Sequence, residues 1–339
     1  MSSPKVLITG ASGFIGRHLY EKLSSQRENI IGVGGFRDGV DLVLEANVGY
    51  IFDQHKPDVV IHLAGRWRGI EMYLKNPAGL IYDNMWMSMR IMEEARQSGC
   101  SRFITIGDIS CYPENCPLPF SEKDLWNGRP TELESSYAIY KRVLMELNDC
   151  FEKQFEGFNS TNVILSNVYG GGDERQFNPK FSKIVPMLIS NMQLAKDRGY
   201  SEIEFEGDED ATHDLLYIDD AVDGIISVLD SELDLGTINI GSGSEVSHKD
   251  LIEIISDICG YEGNVAWSKK QIIQRRRNQL DVSKARSLLK FMPKVNISQG
   301  LQETYDWSIK KFMYKPRKYE DAPPLGVVLD DPNIRPVQK

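Results

Sequence analysis

"VLITGASGFIGRHL", Val6–Leu19, decides the fold of this chain. Val6–Thr9 reads as a short buried strand. Glycine then recurs at Gly10, Gly13 and Gly16, and a helical pattern begins at Phe14. Strand, tight turn and helix in that order open a β-α-β unit. Glycine allows the turn and lets another group lie against the backbone where a side chain would stand. The free N–H groups and the positive end of the helix dipole favour an anion, and the strand–turn–helix context makes it the pyrophosphate of a dinucleotide. Gly10, Ser12, Gly13, Phe14, Ile15 and Gly16 are the expected cradle.

Working outward, apolar runs at Ile30–Val33, Val59–Leu63, Phe103–Ile106 and Asn162–Ser166 alternate with helical patterns at Phe14–Ser25, Asn84–Ser98 and Tyr137–Phe155. That alternation predicts an α/β fold with a Rossmann-type, doubly wound parallel sheet. At 339 residues the chain is long for one domain, so a second, smaller α/β lobe for substrate is expected. The dinucleotide lobe is assigned to residues 1–170 with parts of 212–240, and the substrate lobe to 171–211 and 241–312. After Asn167, helices are predicted near Val185–Asp197, Asp219–Leu229, Leu251–Cys259 and Ile297–Lys311, with strands near Ile203–Phe205 and Thr237–Ile240. The proline-rich stretch 313–339 reads as a poorly ordered tail or an arm on the surface.

Composition narrows the partners. A net charge of −10 speaks against nucleic acid or an anionic membrane, while leaving room for a small anionic ligand in a locally basic pocket. The apolar runs are too short to span a bilayer, and no apolar signal segment follows Met1. The five cysteines form no C-x-x-C pair, which suits a reducing compartment. A soluble cytoplasmic protein is expected. The histidines show no ligand spacing, so no metal is expected. Two helices carry more apolar surface than one sheet can cover: Met85, Trp86, Met87, Met89, Ile91, Met92 and Ala95 in one, and Tyr140, Val143, Leu144, Met145 and Leu147 in the other. Either both are deeply buried, or a second stripe pairs two subunits; a homodimer is the expectation.

Two further sites carry chemistry. After the second strand, "NIIGVGGFRDG" has glycine where an acidic residue would hold the adenosine ribose of NAD. Arg37 follows and suits a 2′-phosphate, which favours NADP(H), while Asp38 keeps NAD(H) open. In "SSYAIYKRVL", Tyr137 and Lys141 stand one helical turn apart on one face. A phenol is a poor acid–base group at neutral pH, but a nearby ammonium stabilises its phenolate. Tyr137 could then exchange a proton with a substrate oxygen while hydride moves at the adjoining carbon.

With these segments in view, the chain resembles the extended short-chain dehydrogenase/reductases that act on nucleotide sugars. The resemblance rests on GASGFIG, "HLAG" (His62–Gly65), Tyr137–Lys141, "NVYG" (Asn167–Gly170) and "LLYIDDAVDGI" (Leu215–Ile225), and covers roughly residues 5–312. Within that family, "DISCYP" and "NGRPTELESSYAIYK" are similar to the GDP-L-fucose synthases, NADPH-dependent epimerase/reductases of a GDP-4-keto-6-deoxysugar. The resemblance implies a nucleoside-diphosphate sugar, GDP-linked, as substrate. It adds Leu63, Ala64 and Gly65 to the cofactor site, and Asn167, His213 and Arg277 to the substrate site, with Arg277 gripping the diphosphate.

This chain departs from that pattern where it matters. The family's serine that holds the reacting sugar oxygen is Asp108 here, and its acid–base cysteine is Ser110, with Cys111 one place later. Its epimerising histidine corresponds to Lys183; a lysine serves an equivalent role in a related GDP-mannose 3,5-epimerase. Ser110 is a poor acid, so the expected activity is a 4-ketoreductase without the epimerase half-reaction. Asp108 either accepts from a sugar hydroxyl, donates to a ketone if protonated, or caps a local turn. The alternatives are an NAD-dependent GDP-sugar 4-dehydrogenase or epimerase with tightly bound cofactor, and a non-catalytic dinucleotide-binding homologue.

Overall fold

The structure, a computed structural model, describes residues 3–35, 39–66, 75–177, 183–206, 208–268, 277–313 and 327–329. The chain divides into two compact units: Met1–Val168, Asp214–Ser244 and Asn278–Lys294 in the first, and Tyr169–His213, Glu245–Arg277 and Val295–Lys339 in the second.

In the first unit, β1 (Val6–Thr9), β2 (Ile30–Val33), β3 (Val59–His62), β4 (Arg102–Asp108), β5 (Asn159–Leu165) and β6 (Gly236–Ile240) form one sheet. Its order is β6-β5-β4-β3-β1-β2, and every pairing is parallel. Helices α1 (Phe14–Gln26), α2 (Glu45–His55), α3 (Pro77–Gln97), α4 (Ser135–Gln154), α5 (Ile218–Asp230) and α6 (Ser283–Leu289) accompany it. This is the expected Rossmann-type α/β architecture. Parallel strands covered on both faces read as continuous apolar runs rather than alternating ones. Accordingly Leu7, Ile8, Val60, Ile61, Phe103, Ile104, Val163 and Ile164 are all fully buried.

The sequence did not reveal α2. Its buried residues Val48, Ile51 and Phe52 make one short stripe, and Gly49 weakens the helical signal. α3 begins at Pro77 rather than Asn84, because proline is at ease in a first helical turn. Along α3, Met87, Ile91, Met92 and Ala95 are buried in a cluster with Phe52 and Phe103, whereas Trp86 keeps 44% of its surface. On α4, Tyr140, Leu144 and Met145 are buried, and Val143 and Leu147 are only half-covered.

Asn278–Lys294 falls in the first unit, although the expected substrate lobe ran through 241–312. Its place is fixed by backbone and buried polar groups far apart in sequence. Phe120 N donates to Gln279 O at 2.7 Å and Asp281 N to Phe120 O at 2.9 Å. The buried Asp214 carboxylate accepts from Ser242 N at 2.9 Å, Ser242 Oγ at 2.7 Å, Gly243 N at 3.2 Å and Leu280 N at 3.1 Å. A single carboxylate, desolvated and hydrogen-bonded, thus ties two separate segments together.

The second unit holds helices Ile184–Arg198, His248–Cys259 and Ile297–Ser308. Ser247 and Asp250 cap the His248 helix reciprocally, satisfying its first N–H groups. Strand Glu202–Glu206 pairs in parallel with Asn264–Ser268 and antiparallel with Val327–Leu329. Three residues of the proline-rich C-terminal stretch therefore form an edge strand. Thr212–His213 pairs antiparallel with Val246–Ser247.

Candidate active site

The glycine turn is built by close backbone packing. Gly10 has φ +73°, and a Cβ there would stand 2.7 Å from Ala64 N and 2.9 Å from Leu63 C. A Cβ on Gly16 would lie 2.1 Å from Gly10 O, and one on Gly13 3.0 Å from the same oxygen. Thr9 reinforces the contact from beneath: its Oγ1 accepts from Ala64 N at 3.3 Å and is 2.8 Å from His62 Nδ1. The other ring nitrogen of His62 is 2.8 Å from Ser88 Oγ on α3. Burial, followed by the charge of Lys141, pushes the His62 pKa down to about 3, so this imidazole is neutral.

The cradle fits a dinucleotide. Arg17 N donates to Gly13 O at 3.0 Å, which leaves the amides of the preceding turn at the positive end of α1. No acidic residue stands in that first turn. Gly65 is exposed, and Ser12, Gly13, Phe14, Ile15 and Leu63 are half-exposed, so the turn and the end of β3 present backbone to a ligand. In an open α/β sheet that carboxyl edge is where ligands bind.

Tyr137 and Lys141 lie at the start of α4, as their spacing required. Lys141 is 3% exposed, and its Nζ stands 5.8 Å from the Tyr137 ring centroid. Burial lowers the lysine pKa from 10.5 to about 8, against the opposing influences of Cys111 and Asp108. It is still cationic at neutral pH. Tyr137 is half-buried, within reach of a ligand.

Asp108 ends β4 and caps the short turn that follows. Its Oδ1 accepts from Ser110 N at 2.9 Å and also from Ser110 Oγ in a short hydrogen bond. Of the three readings of Asp108, the turn cap is the one displayed. Ser110, 6% exposed, donates its hydroxyl to Asp108 rather than standing apart as an independent group. Cys111 is fully buried, its thiol pushed up to about 12 chiefly by burial, and a Cβ on Gly107 would sit 3.5 Å from its sulfur. Such a thiol is inert as an acid–base group at neutral pH. Asn167 is half-buried, its N–H donating to Asp214 O at 3.0 Å.

Three expected substrate residues belong to the second unit. Lys183 is exposed at the N-cap of the Ile184 helix. His213 stacks on His248 with centroids 4.9 Å apart and Nε2 atoms 2.8 Å apart, and His248 stacks on Trp267. Burial, then His248, pushes the His213 pKa down to about 3. Its imidazole is therefore neutral at neutral pH. Arg277 is exposed and paired with Glu245, Nε to Oε1 at 3.1 Å, with a second, short bond from its terminal nitrogen. Arg37 and Asp38, the residues bearing on NADP against NAD, lie outside the described residues. Among the described residues, no group of His, Cys, Asp and Glu side chains could hold a metal, and no helix is long and apolar enough to cross a membrane.

Sequence reasoning missed His62, Asn84 and Tyr140. His62 carried a signal, since it begins the HLAG segment. Asn84 Oδ1 accepts from Arg66 N at 2.7 Å and its Nδ2 donates to Arg66 O at 3.0 Å, fixing the backbone beyond Gly65. Nothing local in the sequence announces that contact.

Known proteins resemble this chain in sequence and in fold. The family model described as "NAD dependent epimerase/dehydratase family" matches residues 6–241. GDP-L-fucose synthase 1 of Arabidopsis thaliana is 29% identical over 308 residues, covering 91% of this chain and 94% of that protein. GDP-L-colitose synthase of Yersinia pseudotuberculosis is 25% identical over 91% of this chain and 98% of its own length. Among solved structures, the Campylobacter jejuni GDP-mannoheptose C4 reductase MlghC with NADP bound superposes with a TM-score of 0.80. It shares 22% identity over 91% of this chain and 98% of that one, a likeness of fold.

Proposed function

Since the chain belongs to the NAD dependent epimerase/dehydratase family, we propose that it is an NADP(H)-dependent 4-ketoreductase of a GDP-linked sugar that leaves the neighbouring carbons uninverted. The observation that carries this reading is the buried Lys141 ammonium beside Tyr137, at the carboxyl end of the parallel sheet. NADP(H), held by the Gly10–Gly16 turn, Leu63–Gly65 and Arg37, supplies or accepts a hydride when bound. Tyr137 gives its proton to the C4 oxygen as that oxygen becomes a hydroxyl, and Lys141 stabilises the phenolate left behind. The Asp108–Ser110 pair orients the ring through a sugar hydroxyl beside the ketone: Ser110 Oγ, donating to Asp108, keeps lone pairs to accept from that hydroxyl. Asn167 and Lys183 line the sugar. Arg277 leaves Glu245 for the diphosphate, and His213 contributes as a neutral donor. The GDP-sugar names of the sequence relatives support the substrate class. The NADP of a structural neighbour supports the cofactor.

Double epimerisation needs two proton shuttles. Lys183 could be one, but Ser110 is no acid and Cys111 is sealed in the core, so the second is missing. The test is GDP-4-keto-6-deoxymannose with NADPH in deuterated water. The expected product is reduced at C4 and carries no solvent deuterium at C3 or C5. Deuterium there overturns the reading of Ser110, and no hydride transfer overturns the reductase.

One observation favours a second reading. Asp108 accepts from both Ser110 N and Ser110 Oγ, and a carboxylate used as an acceptor suits a sugar alcohol and hence an NAD-dependent GDP-sugar 4-dehydrogenase or 4-epimerase with tightly held cofactor. Stoichiometric NAD(H) released on denaturing the purified protein would favour it. If no nucleotide sugar were oxidised or reduced at all, a non-catalytic dinucleotide-binding role would stand.

The enzyme is further proposed to work as a homodimer. A shallow groove of about 350 Å³ runs along α4, lined by Met89, Trp126, Ile139, Val143, Leu147 and Cys150, with half-exposed Trp86 on neighbouring α3. Two such helix pairs can face one another across a two-fold axis.

A further inference from the structure

Tyr140 lies on α4 three residues after Tyr137, and its side chain is fully buried. The two rings meet edge to face, centroids 5.1 Å apart at 86°. Lys141 Nζ stands 5.1 Å from the Tyr140 centroid and 5.8 Å from that of Tyr137, so one ammonium serves both phenols. A Cβ built on exposed Gly65 would stand 3.4 Å from the Tyr140 hydroxyl oxygen and 3.7 Å from Asn84 Oδ1. That hydroxyl therefore lies directly under the HLAG segment of the site. It finds no well-aligned hydrogen-bond partner among the described residues. The Tyr137 hydroxyl is the group that interacts with it, a contact free to tighten when the Tyr137 oxygen carries charge.

We infer that Tyr140 is a positioning residue whose hydroxyl donates to the Tyr137 oxygen when that oxygen is a phenolate, so that an ammonium and a phenol hold the negative charge together. This rests on Tyr137 being the acid–base group. Tyr140 keeps its own proton throughout; it lends a hydrogen bond and transfers nothing. Burial first, and then the negative charge of Asp108, holds the Tyr140 pKa well above the ordinary tyrosine value, while the Tyr137 hydroxyl opposes that rise. Tyr140 thus stays protonated and able to donate beside Tyr137. The other titratable groups around the pair are Asp108 at the end of β4, Cys111 in the following turn, Lys141 on α4 and His62 on β3. His62 is neutral above about pH 3 and Cys111 stays a thiol to about pH 12. Asp108 and Lys141 are then the charges that compete for influence on the phenolate.

The test substitutes Tyr140→Phe, which removes only the hydroxyl. The protein is labelled with tyrosine carrying ¹³C at the ring ζ carbon, and the Tyr137 resonance is assigned by its absence in Tyr137→Phe. Its chemical shift is followed against pH with and without saturating NADP⁺. Losing one donor to a charged oxygen should raise the Tyr137 midpoint by about one pH unit, a tenfold change in phenolate fraction. A midpoint that does not move overturns the proposal. So does a loss of folding in Tyr140→Phe, because the role assigned to the hydroxyl is support of the phenolate and not of the resting fold. Failure of the underlying reading shows separately: Tyr137→Phe would then turn over GDP-4-keto-6-deoxymannose as fast as the wild-type protein.

Discussion

Replacing Lys141 by methionine should separate the use of a buried ammonium from the strain of burying it. The side chain is 3% exposed, and its pKa falls from 10.5 to about 8. At about 1.4 kcal/mol for each tenfold, that fall means the folded state holds the charged lysine at a disadvantage of ~3 kcal/mol relative to the unfolded chain. Below pH 8 both states are protonated and the disadvantage is present in full. Between pH 8 and 10.5 the unfolded chain binds more protons than the folded one, so wild-type stability rises with pH; above 10.5 the disadvantage is gone. Methionine matches the stem of lysine without its charge. Lys141→Met is therefore expected to be more stable than wild type at pH 7 by up to ~3 kcal/mol, with the gap closing by pH 10.5. Activity should collapse, since the phenolate loses its main support. Urea unfolding at pH 7 and pH 10, on both proteins, reads the gap directly. A variant no more stable than wild type at pH 7, or a gap indifferent to pH, would refute the claim that this ammonium is desolvated in the folded protein.

Other outcomes follow from the same geometry. Gly16→Ala places a methyl 2.1 Å from Gly10 O, so dinucleotide binding measured by nicotinamide fluorescence should be lost or the fold should fail. Asp214→Ala leaves four donors without their acceptor and is expected to lower stability by about 3 kcal/mol or more in urea titrations. His62 is neutral in the fold down to about pH 3 but protonates near 6.5 when unfolded, so it supports stability above 6.5 and withdraws that support as pH falls. His62→Gln should flatten the acid limb of a stability–pH curve by about 1.4 kcal/mol per pH unit; an unchanged slope would show the imidazole is not protected. Val143→Glu puts a charge into the α4 groove and should convert the proposed dimer to a monomer by sedimentation, with no change expected if the protein is monomeric throughout.

The sheet strands and the cradle were legible because their signals are local. Apolar runs mark strands covered on both faces, the Gly10–Gly16 spacing marks a turn with no room for side chains, and an i, i+4 pair must share a helix face. α2 was missed for the opposite reason. Its stripe is short and interrupted by Gly49, and its helicity is set by packing against α3, in the cluster that also holds Met87, Ile91 and Met92, rather than by its own pattern.

By itself, then, the sequence determined the parallel α/β sheet, the position of the glycine cradle and the pairing of Tyr137 with Lys141. Only the tertiary structure decided that Asn278–Lys294 joins the first unit, that Asp108 turns back onto Ser110, that Lys141 is buried and that His213 is neutral. Those outcomes depend on water removed by, and hydrogen bonds made to, segments distant along the chain. Desolvation is a property of the packed molecule, and no spacing of residues encodes it.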